Sequence, residues 1–277
     1  PRFSDPFFSE LLAGIGNKAA ALGFDLLIST RAPGEQETES YGKIVDSGRV
    51  DGFIVVRTRK KDTRIELLSE RGFPFTAFGQ TDGEDEQFSY VDIDSFLGMQ
   101  KVAEHLAALN HKRIGCIAPP SNLAFAEKRV EGLRAGLAKA GIPLNEDYIK
   151  SGDLTQKSGY DLGGALLDMP RPPTAIVACN DLMALGTMSA AQERNLVVGK
   201  DVSITGFDDI PMAETSHPSL TTINQPIYQI GGMLCEMLIK RLKKETTEQQ
   251  HILLLPSLVI RQSTGYAVNS NDGANSE

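Results

Sequence analysis

The chain has 277 residues, of which 41% are hydrophobic and 23% charged, enough to bury one large core or two medium ones. No run approaches the roughly 18 apolar residues needed to cross a bilayer, and the opening Pro1-Arg-Phe-Ser-Asp-Pro6 is neither basic nor followed by a signal-peptide core, so the chain reads as cytoplasmic or already processed, with no membrane partner. The net charge of −8 argues against a broad phosphate-binding surface, and if the protein meets DNA another segment must do it.

Cys116, Cys179 and Cys235 are odd in number, distant in sequence and set in apolar contexts, which suits buried thiols better than disulfides or a metal site. His105, His111, His217 and His251 show no metal-ligand spacing.

In chain order, Asp5-Pro6 predicts an N-cap and first helical position, and Phe8, Leu11, Leu12, Ile15, Ala19 and Leu22 share one face of a helix ending at Gly23. A strand is expected over Phe24–Ser29, a polar-faced helix over Glu37–Gly48, and a strand over Asp51–Val56 that ends at Arg57. This βαβ rhythm predicts a parallel sheet. A helix over Arg64–Arg71 leads to a strand at Phe75–Phe78, after which Gly79-Gln80 opens an acidic loop, Thr81–Glu86. Ser89–Ile93 is extended, and a helix over Ser95–Leu109 begins a second alternating series. Its strands are expected at Arg113–Ala118, Asp147–Ser151, Ala175–Cys179 and Val202–Phe207, and its helices at Ala124–Ala140, Lys157–Asp168 and Leu182–Arg194. Leu220–Pro226 is extended, Ile227–Lys243 is an amphipathic helix, and His251–Ile260 is a long apolar strand interrupted by Pro256.

The fold class is therefore α/β, with two doubly wound parallel-sheet lobes joined by three crossovers, near Val91, Gln225 and Leu254. The first lobe is expected over residues 1–91 plus 226–254 and the second over 92–225 plus 255–268. A disordered tail is expected over 269–277.

No catalytic motif is present. Gly14-Ile-Gly-Asn-Lys18 lies inside a helix and has Ala19 where the dinucleotide fingerprint needs its third glycine; no phosphate loop, nucleophile elbow or Cys-His pair occurs. The chain is expected not to be an enzyme and to need no cofactor. What recurs is a polar residue just beyond a strand: Arg57, Gln80, Asn180-Asp181 and Asp208-Asp209, the last two leaving the carboxyl end of the apolar strand Val202–Phe207. In open α/β sheets ligands bind at that edge. Such residues suit sugar hydroxyls, since Asp accepts, Arg donates a planar fork and amides do both. Each has a structural alternative. Asp208 or Asp209 could cap the segment Ile210–Thr215, Asn180 could cap its helix, and Arg129 could pair on the surface with Glu127 and Glu131. Phe7 and Phe8 could offer apolar faces to a pyranose ring, although Phe8 also belongs to the core face of its helix.

Several stretches resemble the effector-binding core of the lactose-repressor (LacI/GalR) type of bacterial transcription regulators, related in fold to periplasmic sugar-binding proteins of type I. They include Asp5-Pro-Phe-Phe-Ser-Glu-Leu11, Val50-Asp-Gly-Phe-Ile54, His111-Lys-Arg-Ile-Gly115, Arg129-Val-Glu-Gly-Leu133 and Cys179-Asn-Asp181. Asp201–Ile210, Pro218–Pro226 and Leu258–Gly265 complete the set. The resemblance covers nearly the whole chain. It implies a sugar or related polyol in the interlobe cleft, lobe closure as the signal, a homodimer, and operator DNA bound by an N-terminal domain absent from these residues. Carried over position by position, ligand contacts fall on Asp5, Phe7, Arg129, Asn180, Asp208 and Gln225. Gln80 follows Gly79 where many relatives place an acidic residue or an arginine, and this leaves the identity of the sugar open. The family's first strand and helix-turn-helix are expected before Pro1. A periplasmic receptor serving a transporter is the alternative, and it would require a signal peptide and a monomer.

Overall fold

A computed structural model describes residues 5–30, 34–82 and 87–268; the expected tail and most of the acidic loop lie outside them. The chain divides into two compact units. One holds the residues up to Asp94, Asn122–Phe125 and Pro226–Leu254, and the other holds Ser95–Ser121, Ala126–Gln225 and the residues from Leu255 onward.

In the first unit the strands β1 (Phe53–Val55), β2 (Phe75–Phe78), β3 (Ser89–Ile93) and β9 (His251–Leu254) form a parallel sheet in the order β1-β2-β3-β9. Helices α2 (Glu35–Asp46) and α3 (Thr63–Glu70) bring Tyr41, Val45, Ile65 and Leu68 against Val55, Phe75, Ala77, Phe88 and Tyr90. Helix α9 (Ile227–Leu242) packs on the strands, and α1 (Pro6–Ala21) packs on α9. That pair of helices touches backbone to backbone. A Cβ on Gly14 would lie 2.0 Å from the Tyr228 carbonyl oxygen and one on Gly231 2.4 Å from that of Leu11. The glycine at the head of Gly14-Ile-Gly-Asn-Lys18 therefore serves helix packing.

The strand expected at Phe24–Ser29 does not form. Residues 24–30 join no ladder, and Leu26, Leu27 and Ile28 are 39%, 61% and 48% exposed. The physical reason is the partner: a strand exists only through a neighbour's N–H and C=O groups. No described strand lies beside β1 on the side away from β2.

The second unit carries six strands in the order β10-β8-β7-β6-β4-β5. They are β4 (Ile114–Ala118), β5 (Ile149–Ser151), β6 (Ala175–Ala178), β7 (Ser203–Asp208), β8 (Thr221–Asn224) and β10 (Ser257–Val259). All pair in parallel except β10, which runs antiparallel to β8. The single strand expected over His251–Ile260 is thus two strands in two sheets. Pro256 sits in the break, where the missing N–H costs no ladder bond.

Helices α6 (Gln156–Leu167) and α7 (Asp181–Glu193) pack closely through glycines, while α4 (Ser95–Ala108) lies against β8 and β10 and is met by α5 (Ala124–Lys139). The segment after β10 is tied to the sheet by a buried histidine. His111 Nδ1 lies 2.9 Å from Thr174 Oγ1, and Nε2 lies 2.9 Å from Ser203 Oγ and 3.0 Å from the Gly265 carbonyl oxygen. Because that carbonyl can only accept, Nε2 carries a proton. Burial pushes the imidazole pKa below its ordinary value, with the bond to Gly265 opposing. Ser263 Oγ donates to the Ile204 carbonyl at 2.6 Å and accepts the Thr221 N–H at 2.8 Å, closing the same seam.

Gly159 tests the helix packing, because its Cβ would stand 2.1 Å from the Met183 carbonyl oxygen. Gly159→Ala should destabilise the fold by about 1–3 kcal/mol through overpacking, measured by chemical denaturation.

Candidate functional site

Strand β7 brings the site into being, because its apolar run delivers Asp208 and Asp209 to the sheet's carboxyl end with φ of 122° and 57°. Two consecutive non-glycine residues at positive φ need side-chain partners to hold them. Asp208, 7% exposed, accepts Gln225 Nε2 at 2.6 Å on Oδ1, and its carbonyl accepts the Gln225 N–H at 3.3 Å. Asp209 is paired with Arg261 at 2.8 Å and accepts Asn224 Nδ2 at 2.9 Å. Neither aspartate caps the following helix, α8 (Pro211–Thr215), whose N-cap Ile210 has no side-chain bond.

Arg129 enters from α5. It is buried, with Cζ 3.6 Å from the Phe207 ring centroid, Nη2 3.8 Å from Asp208 Oδ1 and Nε 3.5 Å from Ser95 Oγ, and Nη1 donates to the Cys179 carbonyl. Arg129 is buried and not on the surface, and Glu131 pairs with Arg134. A guanidinium seated on an aromatic face beside a carboxylate keeps its plane fixed, which suits a hydroxyl-bearing ring.

Asn180 is the N-cap of α7. Its Oδ1 accepts the Met183 N–H at 3.0 Å and its Nδ2 donates to the Leu154 carbonyl at 3.2 Å. The capping role is present, and the amide retains one further lone pair and one further proton. Next to it, Asp181 is fully buried. Its Oδ1 accepts Thr222 Oγ1 at 2.5 Å and its Oδ2 the Ile210 N–H at 2.9 Å. Burial pushes the carboxyl up to about 6, against the opposing pull of the Thr222 and Ile210 hydrogen bonds.

In the first unit Asp5 caps α1, accepting the Phe7 N–H at 3.1 Å on Oδ1 and Arg57 Nη2 at 2.9 Å on Oδ2. Arg57 has a φ of 54° and its guanidinium lies 4.6 Å from the Phe8 ring centroid. Phe7 stacks on Phe78 at 5.8 Å. Gln80 Nε2 donates to the Tyr90 hydroxyl at 2.9 Å. Gly79, with φ of 107°, has no room for a side chain, since a Cβ would lie 2.4 Å from Thr58 Oγ1.

A buried ion network over Asp62, Arg64, Glu37 and Arg59 was not foreseen. Arg64 bonds both Asp62 oxygens, at 2.9 and 2.7 Å, and the carbonyls of Val56 and Arg57, at 3.3 and 3.1 Å. Burial pushes the Asp62 carboxyl up, but the Arg64 hydrogen bonds and charge outweigh it and hold the group below its ordinary range. Asp62 also caps α3 through the Arg64 N–H, a signal readable as Asp62 before the helical run. The network braces the loop that carries Arg57.

Other candidates are weaker. A surface groove of about 890 Å³ runs along α2 and α3, but three of its four lining cations, Lys43, Arg59 and Arg71, already pair with Glu39, Glu37 and Asp46. Among the described residues no group of His, Cys, Asp and Glu could hold a metal ion, and no helix is long and apolar enough to cross a membrane. Cys116 on β4 and Cys179 just past β6 lie with their sulfurs 4.0 Å apart. Their mutual hydrogen bond and burial push the Cys116 thiol well up, which keeps it a thiol.

The family described as periplasmic binding protein-like domain matches residues 103–264. The transcriptional repressor CytR of Escherichia coli is 34% identical over 265 residues, 95% of this chain and 77% of its own length. Among solved structures, a transcriptional regulator LacI of Bacillus cereus subsp. cytotoxis superposes with a TM-score of 0.92 at 32% identity, covering 96% of this chain and 94% of the other. The complex of the regulator CelR with cellobiose superposes with a TM-score of 0.88 at 31% identity, covering 94% and 80%; CelR of Thermobifida fusca is itself 32% identical over 94% of this chain and 77% of its own length. With the strand order, the carboxylate pair and these likenesses together, the chain belongs to the LacI/GalR family of transcriptional regulators, as an effector-binding core of periplasmic-binding-protein-like fold and not an enzyme.

Proposed function

We propose that this chain is the sugar-sensing part of a cytoplasmic transcriptional repressor, binding a small carbohydrate or related polyol and passing its occupancy to DNA-binding heads. Arg129, Asp208, Gln225 and Asn180 of the second unit are the proposed contacts, with Asp5, Phe7 and Gln80 of the first. The observation that carries this reading is the Arg129 guanidinium on the Phe207 ring, 3.8 Å from an Asp208 carboxylate that is itself held by Gln225 at 2.6 Å. It combines a fixed donor fork, an acceptor and an amide at one strand end, the chemistry that vicinal hydroxyls require. The cellobiose complex of CelR and the repressor CytR support a regulator over a transport receptor.

Arg129→Ala should weaken sugar binding by about 1.5–3 kcal/mol, or one to two decades in affinity. Calorimetry with a sugar first identified by thermal shift would show it, and unchanged affinity would refute the assignment.

The core should dimerise without binding DNA, given its net charge of −8. Sedimentation at micromolar concentration checks the first claim. Salt-sensitive binding to duplex DNA would overturn the second.

Gln225 is the last residue of the second unit before the chain passes into the first at Pro226. Gln225→Ala should therefore weaken the coupling between sugar and operator as well as sugar affinity. A typical coupling of about 1–3 kcal/mol corresponds to a roughly 5- to 150-fold change in operator affinity. Operator titrations with and without saturating sugar, on a form carrying the DNA-binding heads, give this ratio. An identical ratio in wild type and variant would exclude the role.

A further inference from the structure

The Asp181 side chain makes none of the contacts described for the residues assigned to the sugar, yet it is bonded to the loop that carries one of them, Asp208. Its Oδ2 accepts the Ile210 N–H at 2.9 Å, the first amide after the two positive-φ aspartates, and its Oδ1 accepts Thr222 Oγ1 at 2.5 Å from β8. The β7 residue facing it is Gly206, where a Cβ would lie 2.1 Å from Asp181 Oδ1. The glycine inside this wholly buried strand thus leaves the space that the carboxylate occupies. Its partners are neutral donors, and the charged group near it is the Asp209 carboxylate, which Arg261 and Asn224 already hold. A buried carboxylate placed beside another is costly, and it persists where it organises something.

We propose that Asp181 is a positioning residue for the effector site. By tying the Ile210 amide and the Thr222 hydroxyl to one buried carboxylate, it holds Asp208 and Asp209 in the backbone that presents Asp208 to Arg129 and Gln225. The inference rests on the sugar-binding reading for its consequence, but the loop geometry is read without any ligand.

The test compares Asp181→Ala with Asp181→Asn. Asparagine can still accept the Ile210 N–H on Oδ1 and can donate to Thr222 Oγ1 through Nδ2, so it should rescue what alanine loses. In Asp181→Ala, hydrogen exchange at the Ile210 amide should speed up at least tenfold, and the HN–Hα couplings of Asp208 and Asp209 should leave their left-handed values. Asp181→Asn should keep both near wild type. Gly206→Ala should mimic Asp181→Ala by displacing the carboxylate, and the double variant should be no worse than either. Thr222→Val removes one donor at constant volume, and it should shift the same signals about threefold even if the alanine variants fail to fold. Wild-type exchange and couplings in Asp181→Ala, or in Thr222→Val where alanine does not fold, would overturn the proposal. So would wild-type affinity of Asp181→Ala for cellobiose or ribose. Failure of wild type to bind either probe would count against the sugar reading alone, because the loop signals still decide the role of Asp181.

Discussion

The carboxyl end of β7 is the constraint on which the second unit turns. Asp208 and Asp209 both have positive φ, a region L-residues reach at a cost of about 1–2 kcal/mol each, so the surrounding groups must outweigh that cost. Gln225 holds Asp208, Arg261 and Asn224 hold Asp209, and Asp181 holds the next amide. Those partners come from the end of β8 and the residue after it, from the segment after β10 and from α7, so the loop is correct only when four separate pieces of chain, its own included, have met.

The buried Asp181 makes that assembly costly at neutral pH. Its carboxyl is pushed to about 6 by burial, whereas an unfolded Asp titrates near 3.9. Between those values the folded state holds a proton the unfolded chain has released, so stability falls as the pH rises through the window. Above it the carboxylate is charged, and the contribution of the protonated form is lost. Arg129 belongs to the same balance. Its charge is removed from water but rests on the Phe207 ring and beside Asp208, so the site keeps an internal cation and anion in contact.

Much of this was legible in the residues. The alternation of apolar runs and helical periodicity placed β1 to β4 and β6 to β8 within a few residues, because buried parallel strands are continuous apolar runs. Asp208 was recognisable because a carboxylate follows an apolar strand, whereas Arg129, a cation early in a helix, and Gln225 were assigned through the family resemblance; the structure brings those three together. Phe24–Ser29 misled because strand propensity is local while pairing is not. His251–Ile260 reads as one segment, and only the three-dimensional placement of two sheets separates it at Pro256. The Asp62–Arg64–Glu37 network and the role of Gly206 stayed hidden for a related reason. Each depends on contacts between residues whose spacing in sequence carries no periodic signal.

The seam around His111 has a consequence for how the molecule is made. Strand β9 completes the first sheet beside β3, and Ser263 and Gly265 complete the second beside Ile204 and Ser203. Each sheet therefore waits for a piece of chain encoded after all of its interior strands. During synthesis neither half can reach its final hydrogen bonding until residues 251–265 have left the ribosome. Until then β3 and β8 are nascent edges with open amides, and the two halves mature together, not one after the other.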